Sequence, residues 1–402
     1  MGIARRPGLY IGCAIWLAAF GARAQTLANA FEQAWFRDPI AATLDARGAE
    51  ASARADAASA TTPGPAAASF GVLSDRMNRN EGAQKWEAEL SVPLWLPGQQ
   101  AARQAHARSA IDEVETQRAA LRLSLAGEVR ARWWALAAAR NAREQALRRA
   151  ASAESLESDV LRRFATGELA RTDANLARNE RLAAESEAID AQTALLGAEA
   201  RLRALTGAAA PAVLAAESAA PANPALDRHP RVLAAAAAAE VARAALRVAT
   251  RSAREAPTVA VRVERDRGAA AEPFASAIGL RVTIPFSAGP QLRQRTAEAI
   301  AAASRAEAEL AFARAEVAGE VDRARAALEA ADRQLDAARR RRELTADNLQ
   351  LIEKAFALGE ADLTTLLRVR AAALDAEAFG LRQRAARDEA VSQLRQALGV
   401  LP

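Results

Sequence analysis

The stretch Val92-Pro93-Leu94-Trp95-Leu96-Pro97-Gly98-Gln99 returns downstream as Ile284-Pro285-Phe286-Ser287-Ala288-Gly289-Pro290-Gln291. Each copy closes a run of alternating residues and opens a proline-free run of 66 residues, 99–164 and 291–356. Before the first copy, Trp86, Ala88, Leu90, Val92 and Leu94 are apolar, while Glu87, Glu89 and Ser91 fill the alternate places. Before the second, Ile278, Leu280, Val282, Ile284 and Phe286 alternate with Ala277, Gly279, Arg281 and Thr283. Val259, Val261 and Val263 alternate with Ala260, Arg262 and Glu264, and a weaker strand is expected near Ala67 to Leu73. Side chains of a strand point alternately to its two faces, so each run writes one apolar and one charged face. A barrel with lipid outside and water inside needs that pattern. A soluble, half-buried sheet writes the same pattern, but this chain shows no globular core to cover one.

The repeat extends well beyond this junction. Asp38-Pro39 matches His229-Pro230, Phe164-Ala165-Thr166-Gly167-Glu168 matches Phe356-Ala357-Leu358-Gly359-Glu360, and Leu202, Arg203 and Gly207 match Leu394, Arg395 and Gly399. All pairs share a displacement of 191 or 192 residues, a register that an Ala-rich chain does not produce by chance. Each repeat reads helix, two strands, long helix, turn, helix. The sequence thus divides into repeat one at 25–207, a Pro/Ala-rich linker at 208–225 and repeat two at 226–402.

At about 1.5 Å per residue the long runs predict helices of roughly 100 Å, too long for an ordinary globular domain. Leu310, Val317, Val321, Leu328 and Leu335 are spaced by seven, four, seven and seven residues, which is coiled-coil spacing. Helical runs at 169–205 and 226–253 together nearly equal one long run, so the two are expected to stack end to end beside it. The expected fold class is mainly α with a small β part: coiled-coil hairpins in an elongated α-helical barrel, continued by a β-barrel to which each chain gives four strands.

Arg5-Arg6, the apolar residues from Gly8 to Phe20 and Ala22-Arg23-Ala24 have the layout of a secretory signal peptide over 1–24. Cys13, the only cysteine, lies within it, so cleavage leaves no disulfide or thiolate metal site; acylation of Cys13 is the alternative. No later run approaches the ~18 apolar residues of a membrane helix, so entry into a membrane would require a closed β-barrel. Only Lys85 and Lys354 are lysines among 54 basic residues, and the net charge of +5 alternates along helices with no basic patch. Nucleic acid is not implied. His106 and His229 are far apart, without a carboxylate or histidine at ligand spacing, and no phosphate loop or nucleophile elbow occurs. No catalytic residue, metal site or cofactor is expected. Trp133 and Trp134 read as packing residues.

Across the mature chain, the junctions at 92–99 and 284–291 and the turns at 164–169 and 356–361 resemble the TolC-like outer-membrane efflux factor family. The short length is similar to its heavy-metal (CzcC-like) branch. The resemblance implies a homotrimer whose four strands per chain make a twelve-stranded barrel in outer-membrane lipid, extended into the periplasm by helices. It implies an exit duct for metal ions or small molecules, working with a periplasmic adaptor and an inner-membrane pump. It assigns adaptor docking to tip residues Gly167, Glu168, Leu169, Gly359, Glu360 and Ala361. Trp86, Phe274 and Phe286 are candidate membrane-interface aromatics. Six and nine positions after the second tip glycine the family places acidic residues that narrow the periplasmic mouth; here those positions are Thr365 and Arg368, with Arg370 close behind. The expected constriction is basic and disfavours cations, unless Arg368 turns outward to an acidic neighbour. The rival class is a soluble periplasmic coiled-coil adaptor or scaffold without a channel.

Overall fold

The computed structural model describes residues 26–220, 225–252, 255–286 and 289–402. The signal-peptide reading, with Cys13, lies outside the described residues. In chain order the elements are α1 (Leu27–Arg37), α2 (Pro39–Ser59), β1 (Ala67–Ser74), β2 (Gln84–Pro93), α3 (Gln99–Ala165) and α4 (Arg171–Thr206). A 3-10 turn (Leu226–Arg228) precedes α5 (Pro230–Arg251), β3 (Thr258–Arg267), β4 (Ala275–Thr283), α6 (Gly289–Ala357) and α7 (Leu363–Ala397).

The N-terminal helical region is two helices, divided at Asp38. The Asp38 carboxylate accepts the N–H groups of Ile40 and Ala41 at 2.8 and 3.0 Å, and Pro39 takes the first helical position, where no N–H is needed. The matched residues behave alike in repeat two: Arg231 N donates to His229 Nδ1 at 3.2 Å and Pro230 starts α5. The sequence reading therefore placed the start of this helix too early at Leu226, because the residue before a proline is held out of the α region. Strands also end sooner than the alternation suggested: Leu94, Ile284 and Phe286 lie beyond β2 and β4.

The four strands form one antiparallel sheet in the order β1-β2-β3-β4. Helices repeat that order. Nearer the strands α2, α3, α5 and α6 stand abreast, and nearer the tips the row is α4, α3, α7 and α6. Thus α3 and α6, at 67 and 69 residues, run the full length, while the other two rows are spliced midway. The end of α4 meets the junction of α1 and α2, since a Cβ on Gly207 would stand 2.8 Å from Arg37 Nη1. The end of α7 meets the start of α5, where a Cβ on Gly399 would stand 2.8 Å from Pro230 Cδ. So α4 does not stack on α5, as the matching lengths had suggested; it stacks on α2, and α7 stacks on α5. The reason is the segment after Gly207, which crosses α3 and delivers the chain to its other side. Ala212 O there accepts from Arg140, and Glu217 pairs with Arg130, both arginines being on α3.

Apolar packing is a chain of small clusters. The largest lies at mid-length, where Leu27, Phe31 and Ala34 of α1 cover Val129, Trp133 and Leu136 of α3 and Leu202 of α4. Trp133 is fully buried and Trp134 nearly so, in the packing role expected of both. Val317, Val321 and Leu335 are buried along α6, on the coiled-coil seam read from the sequence.

Candidate functional site

The register assigns each strand residue to a face. Val259, Val261 and Val263 share one face with Val92, Leu90 and Ala88, and with Val282, Leu280 and Ile278. Phe70 and Val72 of β1 continue it. The opposite face is a charge lattice. Arg262 pairs with Glu87 at 2.7 Å and with Glu264 at 2.8 Å; Lys85 reaches Glu264 at 3.0 Å, and Arg281 reaches Glu89 at 3.2 Å. Three of these four bonds link β2 to β3 or β4, tying the sheet across its strands while keeping one face wettable. The apolar face is uncovered within the chain, with Phe70 84% and Ile278 81% exposed. A soluble protein rarely exposes such a patch.

Both tip turns are built in the same way. Gly167 N donates to Phe164 O at 3.0 Å and Glu168 N to Arg163 O at 2.9 Å; Gly359 N donates to Phe356 O at 3.2 Å and Glu360 N to Ala355 O at 2.8 Å. These bonds close the last helical turn, and they need the left-handed backbone present at Gly167 (φ +80°) and Gly359 (φ +77°). Space is not the constraint, because a Cβ at either glycine would meet nothing within 4 Å. The next helices start differently. Asp173 caps the first from inside, its carboxylate accepting Ala170 N at 3.1 Å, whereas Asp362 caps the second by accepting Thr365 N at 2.6 Å. That bond, with the nearby Arg368 charge, holds the Asp362 carboxyl below the usual carboxylate range.

The two tips are held side by side. Leu156, Val160 and Ala177 of one hairpin pack with Phe356, Leu363 and Leu366 of the other, and the Arg163 guanidinium lies 4.7 Å from the Phe356 ring centre. Glu168, Gly167, Gly359 and Glu360 are exposed, Leu169 and Ala361 partly so. Leu358 is 75% exposed on the second turn, an apolar tip residue that sequence reasoning passed over because it lies among turn residues. Thr365 is half-buried by its part in the cap, and Arg368 is exposed. Arg368 has no ion pair among the described residues; the outward pairing is made by Arg370, 2.9 Å from Glu353 of α6.

A further cluster was missed altogether. Glu217, on the crossing segment, receives two bonds from Arg130 at 2.7 and 2.8 Å and one from Arg395 of α7 at 3.0 Å. Arg130 also donates to Val400 O at 2.9 Å, and Trp134 Nε1 donates to Ser392 Oγ at 2.9 Å. Burial works against a charged Glu217, but the bonds from Arg130 and Ser392 and the charges of Arg130 and Arg395 outweigh it, and its carboxyl titrates below the usual range. Residues 87, 270 and 265 places away from Arg130 meet here, so no local motif marks it. Beside it a cleft of ≈ 730 Å³ opens between α3, α6 and α7.

Trp86 and Phe274 both flank Arg265 at the sheet's far end, remote from the helices, whereas Phe286 lies between β4 and α6 at the near end and is 95% exposed. His229 is the N-cap of α5, and among the described residues no group of His, Cys, Asp and Glu could hold a metal ion.

Residues 222–400 match the family described as outer membrane efflux protein. No curated protein matches the sequence. Among solved structures, the outer membrane protein VceC from Vibrio cholerae superposes with a TM-score of 0.76 at 17% identity, covering 93% of this chain and 96% of that one. The Campylobacter jejuni CmeC outer membrane channel gives 0.75 at 15% identity, covering 93% and 85%. CusC gives 0.78 at 15% identity, covering 94% and 93%. The family's sequence signature lies on the second repeat, and the first repeat returns its junction, tip turn and splice residues in one register; the chain has the TolC-like fold of these outer-membrane channels.

Proposed function

We propose that three copies of this chain close into an outer-membrane exit duct, the channel subunit of a tripartite efflux system. The duct passes metal ions or small molecules handed on by an inner-membrane pump through a periplasmic adaptor. One observation carries this reading: a four-strand sheet, apolar outside and charged inside, continues without change of order into four helices abreast. Both layers end in open edges on the same two sides. The backbone groups of β1 and β4 at those edges would each cost several kcal/mol if left unpaired in lipid. Head-to-tail contact of one edge with the other generates a closed ring.

The helix edges support the closure. Leu182, Ile189 and Leu196 form an exposed heptad stripe on α4, and Leu344 and Leu351 continue one on α6. Counted from the tip glycines, Leu182 is level with Leu344, while Ile189 and Leu196 are level with Ala337 and Ala330. At two of these three levels a large residue on one edge thus meets a small one on the other, as knobs require holes. The exposed Arg178 stands within one residue of the level of Asp347. A soluble scaffold would need neither these stripes nor an uncovered apolar sheet. Detergent-extracted protein is expected to have the mass of three chains by light scattering, and Ile189→Asp to lower the assembled fraction by at least about tenfold, the effect of some 1.4 kcal/mol. A wild-type monomer would overturn the reading.

The division into a leader at 1–24, two repeats and the linker at 208–225 is part of this proposal. So is adaptor docking at Gly167, Glu168, Leu169, Gly359, Glu360 and Ala361, to which the exposed Leu358 adds apolar surface. At the mouth, three copies of Arg368 would raise the local potential where screening is weakest. Planar-bilayer recordings with a trivalent cation on the tip side are expected to show no block of the wild type and block of Arg368→Asp. Block of the wild type would place other, acidic residues in the constriction.

A further inference from the structure

The far end of the sheet carries a feature that export alone does not require. Along β3 the apolar face runs Val259, Val261, Val263 and then turns cationic at Arg265 and Arg267. Arg265 stands opposite Trp86, and both guanidinium groups lie over one ring, that of Phe274, at 4.9 and 4.7 Å from its centre. Their other neighbours leave donors free. Arg267 Nε donates to Gly82 O at 3.1 Å, and neither arginine has an ion pair among the described residues. None of the nearby carboxylates pairs with them among the described residues. Asp266 lies on the charged face with Lys85, Glu272 accepts Gly268 N at 3.0 Å, and Asp75 accepts Glu81 N at 2.8 Å.

An arginine on a lipid-facing position is costly unless its head reaches polar partners. Here two heads are fixed on an aromatic face, a stacking that orients the guanidinium planes without using all their N–H groups. The hairpin loops behind them are tied together, Ala270 N donating to Glu81 O at 2.9 Å. Planar, forked donors at the far end of the sheet, Arg265 exposed and Arg267 half-buried, suit a phosphate monoester, which accepts two parallel N–H bonds. Resting on the channel reading for which face meets lipid, we infer that Arg265, Arg267 and Phe274, with Trp86 alongside, bind the phosphate-bearing headgroup of a lipid in the leaflet around the distal strand ends. Each ring of three chains would carry three such sites.

The test uses the full assembly in detergent and in lipid vesicles. Bisphosphorylated lipid A is the probe, with its dephosphorylated form and inorganic phosphate as comparators. Native mass spectrometry after detergent exchange should show the phosphorylated lipid retained by the wild type. Arg265→Gln/Arg267→Gln should retain it about tenfold less or worse, since two charge-assisted contacts are lost. Phe274→Leu should fall between, while Arg76→Gln/Arg79→Gln, removing the same charge from the neighbouring loop, should retain it fully. Equal retention by the wild type and the Arg265/Arg267 variant would overturn the site. Equal loss in the loop variant would reduce it to diffuse charge and overturn it too. Displacement by inorganic phosphate at lipid-like concentrations would overturn the lipid assignment. Insertion into vesicles is scored on the same samples: a chain that fails to insert sinks the channel reading and this site together, whereas one that inserts without retaining the lipid sinks this site alone.

Discussion

Glu217→Ala is expected to destabilise the middle of the wall by about 3–5 kcal/mol, the usual effect of removing one partner from a buried ion pair. Arg130 would keep its charge at 4% side-chain exposure with no carboxylate beside it, and Arg395 would lose its carboxylate partner while keeping its bonds to Ser218 and Leu401. The crossing segment would then be held to α3 mainly by the bond from Arg140 to Ala212 O. Thermal melting of the helical signal at one fixed scan rate measures the effect, because unfolding of a large membrane assembly is a rate as much as an equilibrium. Arg130→Ala/Glu217→Ala should melt well above the sum of the two single losses, since contacting residues are not additive. Acid should imitate the substitution. The Glu217 carboxyl titrates lower in the folded chain than in the unfolded one, where it sits near about 4.3. Its contribution is therefore complete above that value and disappears as pH falls through the folded value. Wild-type melting should drop below about pH 4, and Glu217→Gln should flatten that part of the profile. An unchanged melting temperature in Glu217→Ala would mean that the crossing segment does not fasten the wall.

Gly359→Pro is expected to abolish most export while leaving the amount of protein in the outer membrane unchanged. Proline holds φ near −65°, and the turn needs +77°. The bonds from Gly359 N to Phe356 O and from Glu360 N to Ala355 O would be lost together, and α7 would leave α6 in a different direction. A docking surface that loses more than about 1.4 kcal/mol binds its partner roughly tenfold more weakly. Gly359→Ala separates backbone from bulk. A Cβ has open space there, so alanine carries only the left-handed penalty of about 1–2 kcal/mol and should export at a reduced but measurable rate. The matched Gly167→Pro should resemble Gly359→Pro. Normal export by either proline variant, or failure of either to reach the membrane, would remove the tips from the docking role.

The parts of this fold that sequence could reveal are those with a local period. Val259, Val261 and Val263 declare a strand because side chains alternate, and the glycines at 167 and 359 declare turns because few other residues take positive φ. Arg265 and Arg267 extend the same odd-numbered series, so the periodic reading could have reached them had it been carried past the last valine. The Glu217 cluster has no such signature; it gathers residues from α3, the crossing segment and α7, and only tertiary structure brings them within 3 Å. The splice partners were misjudged for a related reason. Runs of 37 residues at 169–205 and 28 at 226–253 suggested one broken rod, but length carries no information about the side of α3 to which the chain returns. His229-Pro230 and Gly399 each looked like a separate helix boundary, although in space they are one joint.

That joint has a mechanical meaning. In each protomer two of the four rods are unbroken from strand to tip, and the two between or beside them are butted halves. A push at the tips is therefore carried to the membrane by α3 and α6 in compression, while the butted rods can shear at mid-height. In the proposed ring of three chains, six struts alternating with six scarf joints would make a sleeve that resists shortening yet yields to torsion below its waist. In that ring, rotation of the lower half would widen the mouth without moving a single strand pair in the sheet above.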